Sequence, residues 1–215
     1  MLLDADECQL VLVDYQIKLM PALFEGELVA ANAVRLAHMA RLMQVPVWAT
    51  EQVPEKLGRN LPAVQAAVDA SGGKTLAKTY FSAGPDGLGE RLRPPQRKAA
   101  AAPARGGNAR SLPKHLQRPA AEPEAEDGRN IIVIAGCEAH VCLLQTALDL
   151  LEEEFDVWVV TDACSSRTER NRDAAFDRLA GNGAELVTTE MVAFEWLRSA
   201  EHPVFKEVLE LVKSD

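Results

Sequence analysis

Short, almost uninterrupted apolar runs alternate along this chain with longer stretches in which apolar positions recur every three or four residues. The runs are Gln9–Val13, Pro46–Thr50, Thr75–Thr79, Asn130–Ala135, Asp156–Thr161 and Glu185–Thr188. Their length and β-branched content predict strands. Ile131-Ile-Val-Ile-Ala135 is apolar at every position rather than at every second one, as expected of a strand covered on both faces. The periodic stretches predict helices over Leu28–Met43, around Pro62–Ala70, over Glu138–Glu153 and Glu169–Asn182, and as a C-terminal pair near Met191–Ser199 and Pro203–Lys213. Strand, helix, strand in steady alternation predicts a three-layer α-β-α fold around a doubly wound, mainly parallel six-stranded sheet. Such sheets bind ligands outside the carboxyl ends of their strands, so polar residues just after a strand carry the most weight.

One stretch breaks the alternation. From about residue 94 to residue 128 the chain is rich in Ala and Pro, with Ala99–Ala102 at its centre, a basic first half, and then Glu122, Glu124, Glu126 and Asp127. Too few of its residues can be buried for a strand, which predicts a disordered insertion with a helical turn near Lys114–Gln117. A lid or docking arm is the functional alternative. The 215 residues, 47% of them hydrophobic, otherwise suit a single domain spanning the chain.

A formal charge of −9 argues against nucleic acid or an anionic membrane as partner, since both need a basic face, and favours a small-molecule substrate. Cys8, Cys137, Cys142 and Cys164 lack zinc-site spacing and are too sparse for a disulfide scaffold, so free thiols in a reducing compartment are expected. The N-terminus Met-Leu-Leu-Asp-Ala-Asp-Glu is acidic where a signal peptide is basic, and no apolar run reaches the length of a membrane span. A soluble, cytoplasmic protein is expected.

Three strand ends carry the candidate chemistry. Gly136-Cys-Glu-Ala-His-Val-Cys142-Leu-Leu-Gln-Thr-Ala-Leu-Asp-Leu150 places Cys142 where a strand hands over to a helix. Unpaired N–H groups and the helix dipole there favour an anion, which predicts a lowered thiol pKa and donors for an oxyanion. The plain alternative is a small packed hydrophobe. Strand one ends in Leu12-Val13-Asp14-Tyr15-Gln16, and strand three in Ala77-Lys78-Thr79-Tyr80-Phe81-Ser82. Asp14 alone reads equally as a cap and Lys78 alone as a snorkelling surface residue. In a doubly wound sheet these ends can line one crevice. An ammonium and a carboxylate beside a thiol supply what nucleophilic catalysis needs: the carboxylate takes the proton and the cation stabilises both anions.

With these landmarks the chain resembles the isochorismatase-like cysteine hydrolase superfamily, which includes nicotinamidases and N-carbamoylsarcosine amidase. Asp14-Tyr-Gln16, Lys78-Thr-Tyr-Phe-Ser82, Gly136–Cys142 with Gln145-Thr-Ala-Leu-Asp149, and Thr161-Asp-Ala-Cys-Ser-Ser-Arg167 carry the resemblance, extended by Thr189-Glu190-Met191. Thr50-Glu-Gln52, Asp162–Arg167 and His202–Glu207 look most like isochorismatase-domain proteins of unassigned substrate. The resemblance implies a catalytic triad of Asp14 as base, Lys78 as cation and Cys142 as nucleophile. It also implies a cis peptide at Cys137–Glu138, aiming the N–H of Glu138 with that of Cys142 at a substrate oxygen as an oxyanion hole. Gln16 is then structural or orients the loop around Asp14, and Gln16, Tyr80, Phe81, Cys137 and His140 are the pocket candidates. Family members are commonly homo-oligomers, and that is expected here.

Nicotinamidases in the superfamily hold a metal through an Asp and two His after the second strand. Here that region reads Thr50-Glu51-Gln52-Val-Pro-Glu55 with no histidine, and only His140 among the four histidines lies near the chemistry. No metal and no cofactor are expected. Isochorismatase cleaves a vinyl ether without a thiol nucleophile, whereas this chain has Cys142; the reading is therefore C–N hydrolysis of an amide-like small molecule through a thioester. An isochorismatase-type ether hydrolase, or a non-catalytic oligomeric scaffold keeping the fold, are the alternatives. Cys8 and Cys164 are expected in packing or turn roles, Tyr80 and Phe81 more commonly in a core than in a pocket wall, and Asp162 and Arg167 paired with each other.

Overall fold

The computed structural model describes residues 1–93 and 128–213. The expected insertion, Gly128 apart, lies outside the described residues. Six strands form one sheet: β1 (Cys8–Val13), β2 (Val47–Gln52), β3 (Lys74–Lys78), β4 (Ile131–Gly136), β5 (Asp156–Val160) and β6 (Glu185–Val187). Every pairing is parallel, and the spatial order is β3-β2-β1-β4-β5-β6. Each expected strand is present within two residues at either end. β2 runs on to Gln52, past the expected stop at Thr50.

β1 and β4 are buried at every residue and stand side by side at the centre, which is why both read as unbroken apolar runs. The helices are α1 (Gly26–Leu42), α2 (Pro54–Leu57), α3 (Pro62–Ala70), α4 (Leu88–Leu92), α5 (Leu144–Glu152), α6 (Glu169–Gly181), α7 (Thr189–Leu197) and α8 (Phe205–Lys213). α1 packs against α3, α7 and α8, while α5 packs against α6. These groups cover the two faces of the sheet. Local chemistry sets several of the helix starts: Pro62 opens α3, and the hydroxyls of Thr168 and Thr188 accept the N–H of Asn171 and Met191 at 3.3 Å each, capping α6 and α7.

The strand order places the reactive end of the molecule. From β1 the chain builds outward through β2 to β3, then crosses to the other side of β1 and builds β4, β5 and β6. The connections leaving β1 and β4 therefore diverge, opening a crevice at their carboxyl ends. At its mouth Gly136 pairs with Val13, and a Cβ there would fall 2.5 Å from both the Cβ and the carbonyl oxygen of Val13. Only glycine lets the two strands approach so closely.

Candidate active site

Asp14 follows the last residue of β1 with φ 55, turning the chain out of the sheet at the crevice. It is wholly buried. Its Oδ2 lies 2.7 Å from Lys78 Nζ, and its Oδ1 accepts a hydrogen bond from the Thr50 hydroxyl at 2.7 Å. Lys78, the last residue of β3, is buried to 2% exposure. The ammonium also donates to Gln52 Oε1 at 2.7 Å and to the carbonyls of Phe81 and Tyr80 at 2.9 and 3.3 Å. Such a cluster replaces lost water around a cation, without which a buried charge is costly.

β2 lies between β1 and β3, and it supplies the connecting atoms. Gln52 stands in register with Lys78, and Val13 with Thr50. Thr50 and Gln52, two apart on one strand, point to the same side and reach Asp14 and Lys78 respectively. Gln52 also donates from Nε2 to the Thr79 carbonyl at 2.6 Å. Gln16 is wholly buried; its Oε1 takes the N–H of Gln52 at 2.8 Å, and its Nε2 donates to the carbonyls of Gln52 and Gly58. It thus ties the loop after Asp14 to the end of β2. The segment after Lys78 is pinned to α5: Ser82 Oγ donates to Asp149 Oδ2, and the N–H of Ala83 donates to Thr146 Oγ1 at 3.1 Å.

Cys142 lies in a wide helical turn, Ala139–Leu143, that joins β4 to α5. Cys142 is 6% exposed, and the Asp14 carboxylate and the Lys78 ammonium both act on its thiol. The three residues expected to meet do meet. The expected lowering of the thiol pKa does not: burial and then the Asp14 carboxylate push it up from 9.0 to about 12, against the opposing pull of Lys78. Desolvation and a neighbouring anion outweigh the helix end, because a thiolate here would sit out of water beside a carboxylate.

The peptide between Cys137 and Glu138 is cis. Around it most amides of the turn are engaged: Ala139 donates to the Ser165 carbonyl, His140 to Ser166 Oγ, Val141 and Leu143 to the Glu138 carbonyl, and Leu144 to the carbonyls of Ala139 and Val141. The side chain of Glu138 grips Arg167 through Nε and Nη2 at 3.0 and 2.7 Å, and also accepts the Arg167 N–H at 3.0 Å. Hydrogen bonds from Arg167 hold the Glu138 carboxyl below its usual range. Arg167 is thus paired with Glu138 and not, as expected, with Asp162. The Asp162 carboxylate instead accepts the N–H and hydroxyl of Thr189 at 2.8 and 3.0 Å, at the start of α7.

The remaining pocket candidates divide. His140 is half-buried with Nδ1 2.9 Å from Ser166 Oγ. Cys137 is fully buried, and its N–H donates to the Val13 carbonyl at 2.9 Å. Tyr80 and Phe81 are 61% and 56% exposed, not core residues, because their carbonyls turn inward to Lys78. They line a surface cavity of about 490 Å³ with Ser82, Pro85 and Leu148. Cys8 accepts the Trp196 indole N–H and Cys164 the N–H of Gly136, each at 3.4 Å. All four cysteines are free and buried. Among the described residues no group of three or more His, Cys, Asp or Glu is arranged to hold a metal ion, and no helix is long and apolar enough to cross a membrane. Thr50 and Gln52 were not singled out as site residues; the polar tail Thr50-Glu-Gln52 on an otherwise apolar strand is the signal that marks them.

Comparison with known proteins gives concordant matches. The family model described as the isochorismatase domain matches residues 120–191. Isochorismatase domain-containing protein 2A of Mus musculus is 33% identical over 207 residues, covering 95% of this chain and 82% of its own length. The solved structure of the MAR1 ribonuclease from Caenorhabditis elegans matches with a TM-score of 0.76 and 28% identity, over 100% of this chain and 94% of that one. The YcaC gene product from Escherichia coli, described as an octameric hydrolase of unknown specificity, matches with a TM-score of 0.74 and 23% identity, over 98% and 89% of the two chains.

Proposed function

The chain belongs to the isochorismatase-domain family, and from that premise we propose that it is a metal-independent cysteine hydrolase cleaving a C–N bond of a small amide-like molecule through a thioester on Cys142. One observation carries this reading. Asp14 and Lys78, buried and paired at 2.7 Å where β1 and β3 end, both act electrostatically on the thiol of Cys142 in the turn after β4.

A thiol whose pKa stands at about 12 is protonated at neutral pH, so attack and deprotonation proceed together. Cys142 Sγ bonds to the carbonyl carbon while its proton passes to Asp14, and the carbonyl electrons move onto oxygen. The N–H groups of Glu138 and Cys142 receive that oxyanion. Collapse breaks the C–N bond, and the amine leaves with the proton from Asp14. Water then attacks the thioester, giving its proton to Asp14 and hydroxide to the acyl carbon; the carboxylic acid departs and the Cys142 thiol re-forms. The Lys78 ammonium offsets the negative charge of the Asp14 carboxylate before it takes the proton and after it gives it up. Gln52 oxygen is already committed to Lys78, which fits a site organised around an ammonium after β2.

The nematode neighbour is named a ribonuclease. A polyanionic substrate meets a chain of net charge −9 here, so we favour a small uncharged amide. The test is a screen of amides and carbamoyl compounds for ammonia or amine release, followed by mass spectrometry of the quenched enzyme with any hit. An acyl adduct on Cys142, and loss of turnover in Cys142→Ala, are expected. Turnover of any hit surviving in Cys142→Ala, or activity confined to vinyl ethers, removes the reading.

A further inference from the structure

Ser82 and Gln145-Thr-Ala-Leu-Asp149 are landmarks of this sequence, and the chemistry proposed above uses none of them. The fold brings Thr146 and Asp149 against the loop that follows β3. That loop has a task at the site, because the carbonyls of Tyr80 and Phe81 accept two of the hydrogen bonds given by the Lys78 ammonium. The sheet does little to hold it. β3 lies at the edge, and its one neighbour, β2, ends at Gln52 opposite Lys78, with the Gln52 amide reaching only to the Thr79 carbonyl. The Asp86 carboxylate accepts the N–H groups of Thr79 and Tyr80 at 2.9 and 3.2 Å, which folds the loop on itself.

Beyond Phe81 the polar ties run to α5. Ser82 Oγ donates to Asp149 Oδ2 and accepts the N–H of Gly84 at 3.0 Å, and the N–H of Ala83 donates to Thr146 Oγ1 at 3.1 Å. The loop lies so close to the helix that a Cβ on Gly84 would fall 2.7 Å from Asp149 Oδ2. The same helix continues the turn that bears Cys142. Thr146 follows the nucleophile by four residues and Asp149 by seven, about one and two turns along. α5 therefore carries the thiol at its start and, two turns on, the anchor of the loop that holds the ammonium. We infer, resting on the part given to Lys78 in the mechanism above, that Asp149 is a positioning residue: through Ser82 and the carbonyls of Tyr80 and Phe81 it fixes Lys78 relative to Cys142.

The test needs no substrate. Alkylation of Cys142 in the intact protein by iodoacetamide at pH 9 is followed by peptide mapping, with thermal unfolding of each variant as the check on folding. Lys78 favours the thiolate, so displacing it leaves less thiolate to react. In Asp149→Ala the rate is expected to fall at least about threefold, the loss of thiolate being partly offset by the greater nucleophilicity of a more basic sulfur. A role in packing alone moves the rate the other way, because loosening the helix around a cysteine only 6% exposed admits the reagent. Asp149→Asn keeps an acceptor for the Ser82 hydroxyl and should react at about the parent rate. Ser82→Ala should slow alkylation as Asp149→Ala does, and it carries the test if Asp149→Ala does not fold. The double variant Ser82→Ala/Asp149→Ala should be no slower than either single, since the two residues form one link. Unchanged or faster alkylation in the alanine variants, an asparagine variant as slow as the alanine one, or losses that multiply in the double variant overturns the inference. Failure to find an acyl adduct on Cys142 removes the thioester chemistry instead, and leaves these rates as they are.

Discussion

Lys78 is held by more than its ion pair. Asp14, the Gln52 amide and two carbonyls surround its ammonium, so removing any one of them acts on both charge and position. Lys78→Met leaves the Asp14 carboxylate buried without its counter-ion and is expected to destabilise the fold by about 3–5 kcal/mol in guanidinium unfolding. Gln52→Ala removes one neutral acceptor and should cost about 1–3 kcal/mol of stability. Its effect on turnover falls on kcat more than on KM, since Gln52 aims Lys78 and does not touch the substrate carbonyl in the proposed mechanism. The raised thiol pKa of Cys142 makes a separate prediction. At pH 8 a thiol with a pKa of about 12 is ionised in only about one molecule in ten thousand. Its alkylation by iodoacetamide, followed by peptide mapping, should rise about tenfold per pH unit from 7 to 10 without levelling. A plateau below pH 8 identifies a preformed thiolate and sinks the concerted step. Asp14 and Lys78 were legible in the sequence because a charge at the end of an apolar run is expensive and invites an explanation. Thr50 and Gln52 carry only the weaker signal of a polar tail on an apolar strand, since a neutral polar residue there has many uses and a strand does not name its neighbours. The partner of Arg167 was missed for a related reason: Asp162 is near in sequence, but the turn after β4 brings Glu138 nearer in space.

The crevice exists because the winding reverses beside β1, and β1 and β4 were the elements easiest to read. Strands covered on both faces are apolar throughout, so Gln9–Val13 and Asn130–Ala135 announced themselves. The apolar pattern of β2 stops two residues short of its end, because Glu51 and Gln52 are polar; they remain in the sheet through pairing with Ala77 and Lys78. The sequence pattern gives no sign of the short helices α2 and α4. Four or five residues are too few to display a helical period, and each begins just after a residue with positive φ, Val53 and Gly87, whose role is set by the chain's path. The alternation predicted that strands would surround a crevice; the observed order shows which two ends flank it. That geometry depends on Gly136. Gly136→Ala must push β4 away from Val13, whose carbonyl oxygen and Cβ would both lie 2.5 Å from the new methyl. Overpacking of this kind costs about 1–3 kcal/mol, and backbone on the opposing side allows little relief. Since Gly136 precedes the turn bearing Cys142, the same displacement separates thiol from Asp14. Guanidinium unfolding should show the lost stability, and kcat/KM should fall further than stability alone accounts for. A variant as stable and as active as the parent would mean that the two strands tolerate separation and that their close approach does not position the site.

Across the whole molecule the thiols link folding to pH. Burial raises Cys8 from 9.0 to about 11 and Cys142 and Cys164 to about 12, and pushes Cys137 well above its ordinary value. Between pH 9 and 11 the unfolded chain therefore releases protons that the folded chain keeps. Stability contributed by these groups is fully present below 9.0 and is lost as pH rises towards the folded values. Each thiol contributes a slope of about 1.4 kcal/mol per pH unit. All four together approach about 5.5 kcal/mol per unit, so the two units above pH 9 remove a large part of an ordinary stability of about 5–15 kcal/mol. The acid side is gentler. Glu138, lowered below 4.5 by Arg167, contributes stability present above 4.5 and lost as pH falls through its folded value, and the exposure of Arg167 to solvent keeps that contribution small. Urea unfolding under reductant at pH 8, 9, 10 and 10.5 should accordingly show a steep alkaline fall, shallower by about one proton in Cys164→Ala whatever that variant's starting stability. The slope separates thiol ionisation from the packing lost with the side chain, because packing shifts the curve without tilting it. Constant stability from pH 8 to 10.5 would mean that the buried sulfurs ionise as readily folded as unfolded. Cys142 would then be able to exist as a thiolate in its resting site, and Asp14 would not be needed to take its proton during attack.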